Sequence, residues 1–129
     1  MLDHPEASLL KGRRILVVED EYVVAEDICR ELLEQGAEVV GPAPTVEHAM
    51  ALLAADRLID GAILDINLRG EMVFPVAEIL RDRGTPFLFA TGYDLDALPR
   101  AYAQAPCCEK PFEVGQCARA LFGPDRKAP

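Results

Sequence analysis

The run Ile15-Leu16-Val17-Val18 is apolar on both faces until it meets the acidic triplet Glu19-Asp20-Glu21. A strand with no polar face must be covered on both sides, which is the situation of a strand in a parallel sheet between helical layers. The rest of the chain supplies the partners that such a strand needs. From about Tyr22 to Gln35, Val24, Ile28 and Leu32 recur every four positions, Val23 and Leu33 widen the stripe, and Gly36 gives a stop, so a helix is predicted there. Glu38 to Val40 reads as a second strand, followed by a turn at Gly41-Pro42-Ala43-Pro44. Thr45 is a predicted cap for a helix through about Ala55, with Glu47 in the favourable first turn.

Ile59 to Ile66 makes a third strand, and Leu68 to Val73 a loop. A helix is then predicted from about Phe74 to Arg81, with Pro75 near its first turn and Gly84 ending it. Phe87 to Thr91 is a fourth strand, Cys107 to Glu109 a short fifth, and Phe112 to about Phe122 the last helix. Between the fourth and fifth strands, Leu95, Leu98 and Tyr102 fit a helix that Pro99 and Pro106 keep short, and this segment is expected to be loosely held. Five strand-helix alternations predict an α/β fold, a doubly wound parallel sheet, in one domain over residues 13–122. Residues 1–12 and 123–129 read as tails.

Composition narrows the function. Thirteen basic against 22 acidic residues give a formal charge of −9, which disfavours nucleic acid and anionic lipid as partners. No apolar run approaches the ~20 residues that span a bilayer, and the N-terminal MLDHPEASLLKGRR lacks the layout of a secretion signal. A cytoplasmic location is expected. Cys29, Cys107, Cys108 and Cys117 form no C-x-x-C pair and have no histidine at zinc-site spacing, so they read as small buried hydrophobes. His4 and His48 have no catalytic partner in the sequence.

In open parallel sheets a ligand site lies beyond the carboxyl ends of the strands. Here the first strand ends at Glu19-Asp20, the third at Asp65, the fourth at Thr91 and the fifth at Lys110. Taken singly, each has an ordinary explanation. The acidic triplet could cap a helix, Asp65 could begin a turn with Asn67 and Gly70, and Thr91-Gly92 and Lys110-Pro111 could be plain strand ends. Taken together, acid, acid, hydroxyl and lysine on one edge are the parts of a phosphoryl-transfer site. The carboxylates call for a cation or a basic side chain, oxygen-only donors favour magnesium or manganese, and a cation, lysine and hydroxyl can neutralise phosphoryl oxygens around a nucleophilic carboxylate.

Over residues 13–122 the chain resembles a response-regulator receiver domain of the CheY-like family. The resemblance rests on I-L-V-V-E-D-E (15–21), A-I-L-D-I-N-L (62–68), F-A-T-G-Y (89–93) and C-E-K-P-F (108–112). It implies a five-stranded parallel sheet in the order 2-1-3-4-5 with five helices. It also implies that Asp65 is phosphorylated, that Glu19 and Asp20 surround a magnesium ion, and that the backbone carbonyl of Asn67 completes the metal site. Thr91 then matches the switch hydroxyl, and Lys110 the lysine that pairs with the phosphoryl group, before a proline, Pro111, that is often cis.

F-A-T-G-Y, R-G-E-x-x-x-P-V-A (69–77) and R-G-T-P-F (83–87) resemble a subclass, often single-domain, that serves sensor histidine kinases of the HWE and related types. The implied partner is such a kinase or a histidine phosphotransfer protein, and the chain is expected to be a monomer or weak homodimer. Output would come by protein contact, or as a phosphate sink or shuttle, with no catalysis beyond the domain's own phosphorylation and dephosphorylation. One departure is Cys107, three positions before Lys110, where the family usually has an aromatic switch residue. With the interrupted fourth helix, this places the expected signal between Thr91 and Pro106.

Three other readings compete. A haloacid-dehalogenase-type phosphatase carries its nucleophile in D-x-D on the first strand, where this chain has Glu19-Asp20-Glu21. A flavodoxin needs a hydroxyl-rich phosphate loop after that strand, and the acidic loop excludes it. A phosphorylation-independent adaptor of the same fold is the remaining alternative.

Overall fold

The computed structural model describes residues 9–56, 58–92 and 98–124. Strand β1 (Arg14–Val18) is followed by α1 (Tyr22–Glu34), β2 (Glu38–Ala43), α2 (Val46–Ala55) and β3 (Gly61–Asp65). Then come β4 (Asn67–Leu68), β5 (Glu71–Met72), α3 (Phe74–Asp82), β6 (Phe87–Thr91), a 3-10 turn (Arg100–Tyr102), β7 (Cys107–Glu109) and α4 (Val114–Phe122). The main sheet has the order β2-β1-β3-β6-β7 with every neighbouring pair parallel, the expected 2-1-3-4-5 arrangement.

Side-chain alternation along the strands divides the core in two. Leu16, Val18, Ala62, Leu64, Phe87 and Phe89 join one apolar layer with residues of α2 and α3. Ile15, Val17, Ile63, Leu88 and Ala90 join the other with residues of α1 and α4. The capping expected at Thr45 is present, its hydroxyl accepting from the His48 amide at 3.0 Å. By contrast, α4 has no side-chain cap of its own; Glu31 of α1 accepts from the Val114 amide at 3.3 Å and ties the two helices together.

Several sequence expectations need correction. The second strand does not stop at Val40 but continues through Gly41 and Pro42 to Ala43. As an edge strand β2 tolerates a proline, and its register against β1 shifts between Leu16 and Val18. Gly41 is required there: its φ is +102°, and a Cβ would come within 2.9 Å of the Val17 carbonyl. The predicted loop from Leu68 to Val73 contains the antiparallel pair β4 and β5, joined by Arg69 and Gly70, both with positive φ. Leu10, assigned to the N-terminal tail, is fully buried in the layer under α1 and α4, so packing begins upstream of residue 13.

The segment before β7 also differs from expectation. Among the described residues there are four α-helices rather than five, and in place of the fourth family helix stands the single 3-10 turn. Tyr93 and Leu95 lie outside the described residues. Pro99, extended at ψ 153°, precedes that turn, and Pro106 follows it before β7. The turn is nevertheless well anchored. The Tyr102 ring is buried, stacks on Phe74 at 5.4 Å and lies under the Arg81 guanidinium at 4.2 Å. Arg81 Nη2 also donates to the Ala101 carbonyl at 2.8 Å.

Candidate functional site

The parallel topology brings four strand ends to one edge. Glu19 follows β1 and is fixed by its amide, which donates to the Ala43 carbonyl at 3.0 Å. Asp65 closes β3, Thr91 closes β6, and Lys110 follows β7, its amide donating to the Thr91 carbonyl at 2.8 Å. Lys110–Pro111 is a cis peptide bond, as the resemblance implied. Beside these ends lies a cleft of about 370 Å³ bounded by Asp20, Asp65, Asn67, Arg69, Gly92 and Lys110.

Carboxylate oxygens of Glu19, Asp20 and Asp65 all lie within 4.8 Å of one another. Glu19, Asp65 and Thr91 are the buried polar residues among those described. Lys110 answers this charge: its Nζ is 2.5 Å from Glu19 Oε1 and 3.4 Å from Asp65 Oδ1. Burial works against the lysine's charge, but the bonds and charges of Glu19 and Asp65 outweigh it and hold its pKa above the ordinary value. One cation does not neutralise three acids. Burial first, and then the nearby Glu19 charge, push the Asp65 carboxyl up to about 8, with Lys110 opposing. A carboxyl forced to hold a proton in an oxygen-lined cleft is one that a divalent cation would ionise.

The donor set therefore fits a small hard cation. Glu19, Asp20 and Asp65 present oxygen only, and the cleft has room for the waters that magnesium retains. The Asn67 side chain is committed elsewhere: Oδ1 accepts from the Gly70 amide at 2.6 Å and shapes the β4–β5 turn.

Every residue expected at the site is thus at or beside the cleft, and two contributors were not foreseen. Arg69, at φ 55°, places Nε 3.5 Å from Asp20 Oδ2 over the cleft mouth. Glu71 turns away from the cleft and accepts from the Val46 amide at 3.4 Å, tethering the hairpin to the start of α2. The Asn67-x-x-Gly70 spacing was the available sequence signal for this turn. Of the triplet, Glu21 at the cap position makes no side-chain cap bond, while Glu19 Oε2 accepts from the Glu21 amide at 3.1 Å and so also serves the start of α1.

No family model matches the chain. It is similar to the solution structure of SdrG from Sphingomonas melonis Fr1, with 40% identity, 85% of this chain and 93% of that chain covered, and a TM-score of 0.75. It is also similar to the response regulator protein TrrA from Thermotoga maritima, solved in complex with Mg(2+)-BeF, at 28% identity, with 81% and 92% of the two chains covered and a TM-score of 0.69. The transcriptional regulatory protein PdtaR of Mycobacterium tuberculosis is 28% identical over 120 residues, covering 90% of this chain. The chain spans 58% of the length of that curated relative. With this sheet order, these strand-end residues and these relatives, the chain belongs to the response-regulator receiver domains, the CheY-like family.

Proposed function

We propose that this receiver domain is a phosphoacceptor, taking a phosphoryl group from a histidine kinase or histidine phosphotransfer protein onto Asp65. The observation that carries the proposal is the placement of Asp65 within 3.4 Å of Lys110 and within 4.8 Å of the Glu19 and Asp20 carboxylates. Glu19, Asp20, Asp65 and the main-chain carbonyl of Asn67 would hold Mg2+ or Mn2+. When bound, such an ion supplies charge neutralisation for the carboxylates and phosphoryl oxygens.

The chain's own residues do the remainder. An Asp65 carboxylate oxygen attacks phosphorus, the bond from phosphorus to the donor's histidine nitrogen breaks, and the electron pair stays on that nitrogen, which then takes a proton. Lys110, already oriented by Glu19, is placed to offset charge on the transferred group. Thr91, buried beside it, supplies a hydroxyl at the end of β6. Transfer happens once per domain, and the only chemistry catalysed is the domain's own phosphorylation and hydrolysis.

SdrG has been solved in a BeF3-activated conformation, which supports a phosphoryl-like group as the activating ligand here too. The F-A-T-G-Y segment supports an HWE-type or related kinase as donor, and a single-domain mode of action. Intact-mass measurement after incubation with acetyl phosphate tests the proposal. A magnesium-dependent gain of one phosphoryl group, absent in Asp65→Ala, is the expected result. No gain with acetyl phosphate or with a phosphorylated HWE kinase would favour the phosphorylation-independent adaptor.

A further inference from the structure

Arg69 holds a backbone conformation that its residue type rarely adopts. Its φ is +55° and that of Gly70 is +95°, so both residues of the connection between β4 and β5 are left-handed. Asn-Gly is the favoured content of such a turn, because a longer side chain at the first position adds steric cost. The turn is nevertheless firmly held. The Gly70 amide donates to Asn67 Oδ1 at 2.6 Å, the Val73 amide to the Ile66 carbonyl at 3.0 Å, and the Val46 amide to Glu71 Oε1 at 3.4 Å. A disfavoured conformation kept by this many bonds is a sign that the side chain it carries is used. That side chain is a guanidinium lining the same cleft as Asp65 and Lys110.

Charge balance decides what a second basic group could do there. In the metal-free cleft Arg69 Nε lies 3.5 Å from Asp20 Oδ2, a loose contact made by a side chain that is 80% exposed and free to leave. With a divalent cation in place, the ion and Lys110 together match the charge of Glu19, Asp20 and Asp65, and Asp20 no longer needs Arg69. A phosphoryl group on Asp65 then exchanges one negative charge for two. Arg69 is the remaining basic residue lining the cleft, and its planar fork matches phosphoryl oxygens better than an ammonium does.

We propose that Arg69 is a second phosphoryl-binding residue, which exchanges Asp20 in the metal-free cleft for the phosphoryl oxygens on Asp65. The inference rests on the phosphoacceptor reading above and adds to it a group that Lys110 and Thr91 do not replace. No covalent bond changes at Arg69; one ion pair is given up and another is formed.

The test titrates the full chain, saturated with magnesium, with beryllofluoride, the group present in the activated SdrG structure, and follows binding by fluorine NMR. Arg69→Asn suits the left-handed turn and removes the charge, and Arg69→Gln removes the charge while keeping most of the length. Both should bind beryllofluoride about tenfold more weakly than the wild type at low salt, with Arg69→Lys in between and the gap closing as ionic strength rises. Arg69→Asn should unfold in urea at no lower a midpoint than the wild type, which separates loss of a contact from loss of the hairpin. Equal affinity in the wild type and both uncharged variants, or a gap that salt does not change, would overturn the inference. A lower unfolding midpoint accompanying the weaker binding would assign the loss to the hairpin and overturn it as well. A wild type that binds no beryllofluoride and takes no phosphoryl group from acetyl phosphate would instead count against the phosphoacceptor reading, and the role of Arg69 would fall with it.

Discussion

Lys110 Nζ lies 2.5 Å from Glu19 Oε1, joining the end of β7 to the end of β1 across β3 and β6. Glu19 is almost wholly inaccessible, so this ammonium is the charge partner of a buried acidic side chain. Replacing Lys110 by methionine preserves stem volume and removes the charge. The expected loss is about 2 kcal/mol in metal-free urea unfolding, because Glu19 is left buried without its partner. Phosphoryl incorporation from acetyl phosphate should fall by about 10²-fold, the scale of losing one charge-stabilising donor.

Asp65 sets the pH dependence of the metal-free fold. Its carboxyl is raised from 3.8 to about 8 by burial and by Glu19. Between these values the folded chain holds a proton that the unfolded chain has released, so this group's contribution is full below pH 3.8 and lost as pH rises toward 8. Asp65→Asn should therefore be the more stable protein in EDTA at pH 8.5, by about 1–3 kcal/mol, with the advantage vanishing near pH 4. Urea unfolding across that range checks it. Added magnesium should narrow the gap by stabilising the wild type alone.

Arg69 is placed to compete with the proposed cation for Asp20. Its side chain is 80% exposed, so the pair is weak, yet it stands at the cleft mouth. Arg69→Ala is expected to tighten magnesium binding a few-fold in calorimetric titration at low salt, an effect that fades as ionic strength rises. Asp20→Asn should weaken binding instead.

Tyr102 is the anchor of the segment leading into β7. Its ring meets Phe87 at 6.2 Å, Phe89 at 5.7 Å and Phe74 at 5.4 Å. Tyr102→Ala should cost about 3 kcal/mol in urea unfolding through the cavity it leaves. Phe89 lies two residues before Thr91 on β6, so a change at Thr91 has a packed route to this turn. Backbone amide shifts over residues 98–105 should move on phosphorylation in the wild type; unchanged shifts would place the signal elsewhere.

Much of this architecture was legible because burial leaves a period in the sequence. Strands apolar on both faces, such as Ile15–Val18 and Phe87–Thr91, and helices with four-residue apolar spacing, such as Val24-Ile28-Leu32, carry their own signatures. The site residues were found because the sheet order makes strand ends converge. Two-residue strands have no period, so β4 and β5 read as loop and Arg69 was missed with them. Leu10 lay too close to the chain start for a pattern to form around it. The exposure of Cys107 followed from β7 being an edge strand, which alternation alone does not reveal. The depth at which Tyr102 is held depends on Phe74 and Arg81 from a distant helix, a tertiary effect no local window contains.

The most direct test of the central claim is to locate the phosphoryl group. The chain is phosphorylated with acetyl phosphate and magnesium, the acyl phosphate is reduced with borohydride, and the product is sequenced by tandem mass spectrometry. A homoserine at position 65 is the expected result. Modification at Glu19, Asp20, His48 or any other residue, with Asp65 unchanged, would contradict the account.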